Sequence, residues 1–163
     1  IGLDIGESAL ITGCALKDSS PTGPFVCGGS RAKRLRKEIH TTLKRLQERD
    51  AAGWRIDERF HYYQNALTDI VEKVSRQAIE YVRRFEKPVI VMEDLAYIRE
   101  ELDYGGYMNR RLHASAFARL QKRVEDKARE AGIPFEYVRP ESLNLLYYKQ
   151  LVVRAVLRTL FLI

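Results

Sequence analysis

The chain has 163 residues, 45% of them hydrophobic and 31% charged, with a formal net charge of +6. This composition excludes a disordered or fibrous chain and is enough for one domain with a real core. The two cysteines, Cys14 and Cys27, make neither a disulfide framework nor a CxxC pair, so nothing points to a secreted scaffold or a thiolate metal site, and a reducing cytoplasm is the expected compartment.

Residues 1 to 6 (IGLDIG), 9 to 16 (ALITGCAL) and 24 to 28 (PFVCG) are short, apolar or β-branched, and separated by turn formers. They predict three strands joined by hairpins, with KDSSPTG as the second turn. The first residue already lies in a strand pattern and there is no initiating Met, so the N-terminus is expected to belong to something larger. Ser30 stands where a helix N-cap belongs. Leu35, Ile39, Leu43 and Leu46 then mark one helix face, with Gly53 as the expected break. Phe60, Tyr63, Leu67, Ile70, Val74, Ala78, Val82 and Phe85 step by three or four, which predicts an amphipathic helix of six to seven turns. Trp54 and the Tyr62-Tyr63 pair are expected to pack the junction between the two helices, with stacking on a base as the alternative.

Lys87-Pro88 closes that run, and VIVM (89 to 92) reads as a central strand buried on both faces, ending on Glu93-Asp94. REELDYGGYMNRRLH reads as a loop, most mobile at Gly105-Gly106. ASAFARLQKRVEDKAREAG predicts a helix stopped by Gly132, and residues 133 to 138 a fifth strand. The order β-β-β-α-α-β-α-β, without internal repeat or second domain, predicts a mixed-sheet α/β layer fold. Residues 142 to 163 are very apolar. Lys149, Arg154 and Arg158 interrupt them, so no run suits a membrane span, and a final helix packing on the sheet is expected.

The charge is concentrated. Residues 30 to 49 hold Arg31, Lys33, Arg34, Arg36, Lys37, Lys44, Arg45 and Arg49 against Glu38 and Glu48, a sum of +6 that equals the excess of the whole chain. Such a stripe favours a polyanionic partner, nucleic acid above all. In the first strand, Ile1, Leu3 and Ile5 face one side while Gly2, Asp4 and Gly6 face the other. Glu93 stands at the C-terminal end of the buried strand, where open α/β sheets place their sites. Should the two strands lie side by side, Asp4 and Glu93 converge. Paired carboxylates suit a hard divalent cation, Mg²⁺ or Mn²⁺, and phosphodiester hydrolysis. His40, His61 and His113 lack metal-site spacing and are expected at the surface.

IGLDIGESALIT, VIVMEDLAYIRE and MNRRLHASAFARLQKRVEDKAREAGIPFEYVRPE, in that order and spacing, resemble the RuvC-like nuclease domain of the TnpB proteins. These are the OrfB-type transposases of insertion sequences, relatives of type V CRISPR effectors. The resemblance runs over residues 1 to 141 and implies an RNase H-like fold. It implies an Mg²⁺-dependent, RNA-guided DNA endonuclease of a mobile element, with DNA and a guide RNA as partners. It would make Asp4 and Glu93 the first and second metal-binding acids, place Arg110 and Arg111 near nucleic acid, and leave Asp94 without a metal. The family continues with a zinc ribbon and a third catalytic Asp, whereas residues 142 to 163 contain no Cys, Asp or Glu. This divergent tail is expected to bind no zinc, and the chain alone is expected to cleave little or not at all.

Two other functions compete. A basic domain that holds nucleic acid without cutting it needs only the charge stripe. DIGES also fits the DxGx[ST] phosphate loop of sugar kinases and actin-like ATPases, but these require a second DxG turn and a Gly-rich adenosine loop, and the chain is too short for their duplicated domain.

Overall fold

The computed structural model describes residues 1–6, 8–17, 20–94 and 107–138, and of residues 107–115 the backbone alone. In chain order the strands are β1 (Gly2–Asp4), β2 (Ala9–Lys17) and β3 (Ser20–Gly28). Helices α1 (Ser30–Glu48) and α2 (Gly53–Val82) follow, then β4 (Ile90–Glu93), α3 (Tyr107–Glu130) and β5 (Phe135–Val138). The five strands form one mixed sheet in the order β3-β2-β1-β4-β5. β1, β2 and β3 are an antiparallel meander, and β4 lies parallel to both β1 and β5.

Parallel pairing of β1 with β4 requires a long crossover, and α1 with α2 supplies it. α2 is the main buttress. Its apolar positions Leu67, Ile70, Val71, Val74, Ala78, Ile79 and Val82 are buried along one stripe, each worth roughly 1.5–3 kcal/mol if an aliphatic side chain of Val size or larger. From Ile70 onward the stripe joins a core with Leu3, Ile11, Ile90 and Met92 of the sheet and Leu120, Val124 and Ala128 of α3. The first half of α2 belongs to a second, smaller core, where Tyr63 and Leu67 meet Ile39 and Leu43 of α1, with Ile56 and Phe60 beside them.

Several local expectations are corrected. β3 begins at Ser20 rather than at residue 24, so only two residues separate it from β2. Pro21 and Pro24 are tolerated because β3 is an edge strand, where a missing N–H costs no ladder bond on the open side. Gly29, not Ser30, is the N-cap of α1, and its N–H donates to the Ser8 carbonyl at 3.1 Å. Gly53 does not end α1 but opens α2. α1 ends at a Schellman turn: Asp50 takes a left-handed φ of 48°, its N–H donates to Gln47 and that of Ala51 to Leu46. Phe85 lies beyond α2. Residues 107 to 113, expected in a loop, are helical and belong to α3. Trp54 and Tyr62 do not pack the junction; both are exposed, and Tyr63 alone of the three is buried. The expected C-terminal helix and Gly105-Gly106 fall outside the described residues.

Gly132 does stop α3, with φ 67° and the same pair of bonds: its own N–H to Arg129, and Ile133 N–H to Ala128. Gly13 has a different role. It pairs with Leu3 across β1–β2, and a Cβ there would meet Leu3 Cδ2 at 2.5 Å and the Gly2 carbonyl oxygen at 2.8 Å. Gly13→Ala must push β1 away from β2 and should lower stability by about 1–3 kcal/mol, a fall in Tm of roughly 3–9 °C. Gly28→Ala, where an added Cβ meets nothing within 4 Å, should leave Tm nearly unchanged in the same calorimetric comparison.

Candidate acidic site and nucleic-acid interface

The two acids singled out in the sequence end adjacent parallel strands. Gly2 pairs with Val91 and Leu3 with Met92, so the next step of the register sets Asp4 opposite Glu93. Asp4 also pairs with Thr12, and Glu93 with Val138. One row across the sheet therefore reads Thr12, Asp4, Glu93, Val138, with strands about 4.8 Å apart. Asp4 is the last residue of β1, not a mid-strand residue as the sequence pattern suggested.

The preceding row, Phe25, Gly13, Leu3, Met92 and Tyr137, faces the helices. Phe25 stacks on Tyr81 of α2 at 4.8 Å, and the Tyr137 hydroxyl donates to Glu125 of α3 at 3.0 Å. Because side chains alternate, Asp4 and Glu93 share the opposite face. Glu93 is only 7% exposed and Asp4 is half-buried. Two carboxylates at neighbouring strand positions repel one another, and a cation with a preference for oxygen ligands offsets that repulsion. The donor set thus fits Mg²⁺ or Mn²⁺. Among the described residues no group of three or more His, Cys, Asp or Glu side chains gathers, so there the acids form a pair rather than a trio.

Gln121, which the sequence gave no reason to single out, holds the end of β4. It is 6% exposed on α3 and donates from Nε2 to the Glu93 backbone carbonyl at 2.6 Å. A polar residue on the apolar stripe of a helix was the available signal. Asp94 N–H donates to the Val138 carbonyl at 2.9 Å, so both residues of the ED pair are anchored through their main chains.

The other candidates separate into groups. The Gly29–Ser8 bond starts α1 beside the β1–β2 turn, at the same end of the sheet as Asp4. Arg31 and Lys33 lie on the first turn, whereas Lys44 and Arg45 lie about 20 Å further along the helix axis. Arg31, Lys33, Arg34, Lys37, Lys44 and Arg45 are exposed and Arg36 is half-buried. Arg31 reaches Asp69 of α2 at 3.7 Å, while Arg34 and Lys44 meet Glu38 and Glu48 at 3.8 Å within α1. Exposed pairs of this kind are weak and leave the cations able to exchange partners. The backbones of Arg110 and Arg111 lie in α3, but their side chains are outside the described part. His40 and His61 are exposed, as expected.

No protein-family model and no curated protein matches this chain. Among solved structures, a chain of the cryo-EM structure of the Cas12f1–sgRNA–target DNA complex superimposes with a TM-score of 0.63 at 15% sequence identity. The fold is shared with Cas12f1. The match covers 86% of this chain and 35% of the Cas12f1-complex chain, so this chain spans about a third of that length. At that identity the likeness to Cas12f1 is one of fold alone, a mixed α/β sheet. No described helix is long and apolar enough to cross a membrane.

α3, which carries Gln121, is fastened to α2 by charge. Arg123 reaches Glu72 through both Nε and Nη2, and Lys127 Nζ lies 2.9 Å from Glu72 Oε2. Hydrogen bonds from these two cations pull the Glu72 carboxyl down from its ordinary 4.5 to about 2. A carboxylate whose pKa is lowered by folding contributes stability in full above pH 4.5 and loses it as the pH falls towards 2. Glu72→Gln should therefore be less stable than wild type at pH 7, and the gap in urea midpoint should close between pH 4.5 and 2. A gap independent of pH would contradict this bridge.

Proposed function

We propose that this chain is a nucleic-acid-binding domain of the RuvC-like nuclease type, in which Asp4 and Glu93 hold a Mg²⁺ or Mn²⁺ ion. The observation that carries the reading is the register of β1 against β4, which brings to one row and one face two acids 89 residues apart in the chain. The sequence resemblance to the TnpB proteins names the same two residues, and the likeness of fold to a chain of the Cas12f1 complex supports the nuclease-like architecture. That complex contains an sgRNA and target DNA. For this chain we propose DNA as the partner, with a guide RNA and a mobile-element origin as the more specific form of the reading.

When bound, the ion supplies positive charge to phosphodiester oxygens and acidifies a water. The protein's part is to fix the two carboxylates. Glu93 is held through its main chain by Gln121, and Asp4 by pairing on both sides. The exposed cations of α1 bind the phosphate backbone without reading sequence. Because no third acid joins the two among the described residues, and residues 142 to 163 bring no Asp or Glu, the reading assigns this chain binding of nucleic acid with weak cleavage or none.

Saturating Mn²⁺ or Mg²⁺, at about 100 times its Kd, should raise Tm by roughly 5–10 °C. Asp4→Ala should erase the rise, and an undiminished rise in that variant removes Asp4 from the site. Affinity for duplex DNA should fall steeply with salt. Replacing Lys33 and Lys37 together by Ala should reduce the slope of log K against log [salt] by about 2, alike for unrelated sequences. A slope unchanged by the double substitution would place the phosphate contacts elsewhere.

A further inference from the structure

The row that sets Asp4 beside Glu93 does not end at the two acids. On its other flank Asp4 pairs with Thr12 of β2, and Thr12 with Val26 of β3, so the full row reads Val26, Thr12, Asp4, Glu93, Val138. Directly opposed residues share a face of the sheet, with Cβ atoms about 4.5–5.5 Å apart. Thr12 therefore stands on the face of the acids, as near to Asp4 on one side as Glu93 is on the other. Exposure rises along the row, from 7% at Glu93 through half-buried Asp4 and Thr12 to 44% at Val26. The row is thus most open towards β3, and a ligand that reaches Asp4 from that side passes over Thr12.

Local geometry holds Thr12 in this place. Gly13, the next residue, lets the β1 backbone come close to β2, since a Cβ there would lie 2.8 Å from the Gly2 carbonyl oxygen. The pairing of β2 with β3 is regular over Ile11, Thr12 and Gly13, with a register shift on either side of that stretch. Irregularities of this kind re-aim side chains beside sites. Thr12 is also the only side chain between Ala9 and Leu16 that carries an oxygen. The strand itself does not need that oxygen, because Val has the same shape and fits a pleated sheet as well. What the hydroxyl adds is a neutral hydrogen-bond donor next to two carboxylates. A Lys or Arg at this position would pair with Asp4 and compete with a cation. A hydroxyl leaves the charge of the acids to the ion and can still donate to a phosphate oxygen.

We propose that the site extends along the row to Thr12, whose hydroxyl donates to a non-bridging phosphate oxygen of the nucleic-acid strand that meets the ion held by Asp4 and Glu93. Thr12 touches the substrate and leaves the binding of the ion to the two acids. This inference rests on the reading of Asp4 and Glu93 as a cation site, and adds to it the group that seats the phosphate.

Affinity for a labelled DNA duplex, measured by anisotropy at constant ionic strength, should be higher in Mn²⁺ than in EDTA for the wild type. Thr12→Val should bind about tenfold more weakly than wild type in Mn²⁺, and about as tightly as wild type in EDTA. Thr12→Ser, which keeps the hydroxyl, should recover most of the affinity in Mn²⁺. Both variants should melt close to wild type and keep its rise in Tm with Mn²⁺. If Thr12→Val binds as wild type does in Mn²⁺, or loses as much in EDTA, the phosphate contact is wrong and the cation reading stands. A loss that Thr12→Ser shares, or a Tm rise that disappears in Thr12→Val, likewise overturns the assignment. The same holds if Mn²⁺ raises the Tm of the wild type without tightening its hold on DNA. If Mn²⁺ does neither, the reading of the acid pair fails and takes Thr12 with it.

Discussion

The parallel, in-register pairing of β1 with β4 is the constraint from which the candidate site follows. One residue of slippage would move Glu93 to the helix-facing side and take it out of the row of Asp4. The register is held from the helix-facing side and from both flanks. Leu3 and Met92 are buried in the main core, and Gly13 lets the β1 backbone come close to β2. Gln121 bonds the Glu93 carbonyl, and Asp94 N–H bonds Val138. None of these groups carries chemistry. They specify where the two carboxylates stand.

The same pairing explains why the helices are arranged as they are. To return β4 parallel to β1, the chain must cross the sheet outside it, and it does so with two helices of 19 and 30 residues. Only the second half of α2 is needed to cover the sheet. The surplus length pairs with α1 and forms an arm with a separate small core. That arm begins at the acid end of the sheet, through the bond between Gly29 and Ser8, and carries most of the chain's net positive charge away from it. A polyanion bound along α1 would thus be led towards the row of Asp4 and Glu93.

What the sequence revealed and what it hid divide along physical lines. The stripe of α2, the apolar run of β4 and the glycine stop at Gly132 were legible because each is set by local periodicity or by a backbone angle that glycine favours. The placement of Asp4 and Glu93 was legible only conditionally, since adjacency of β1 and β4 depends on a crossover of more than sixty residues. The start of β3 was misjudged because Ser, Pro, Thr and Gly in its first half look like a turn, whereas an open edge tolerates them. Asp50 in a left-handed position hid the end of α1, which glycine would have marked. Trp54 and Tyr62 were assigned to the junction on hydrophobicity alone, yet burial at this point is decided by which side of α2 faces α1. Gln121 and the bridge from Glu72 to Arg123 and Lys127 were invisible because they join α3 to β4 and α2, contacts across tens of residues.

The central claim is that the row of Asp4 and Glu93 holds a divalent cation. It is tested most directly by Mn²⁺-induced line broadening of backbone amide signals in a heteronuclear NMR spectrum of the whole chain. The account predicts that substoichiometric Mn²⁺ first broadens Asp4, Thr12, Glu93 and Val138, and that the effect is lost in Glu93→Gln. Broadening centred instead on the exposed side of α3 near Glu125 and Asp126, or unchanged by that substitution, would contradict it.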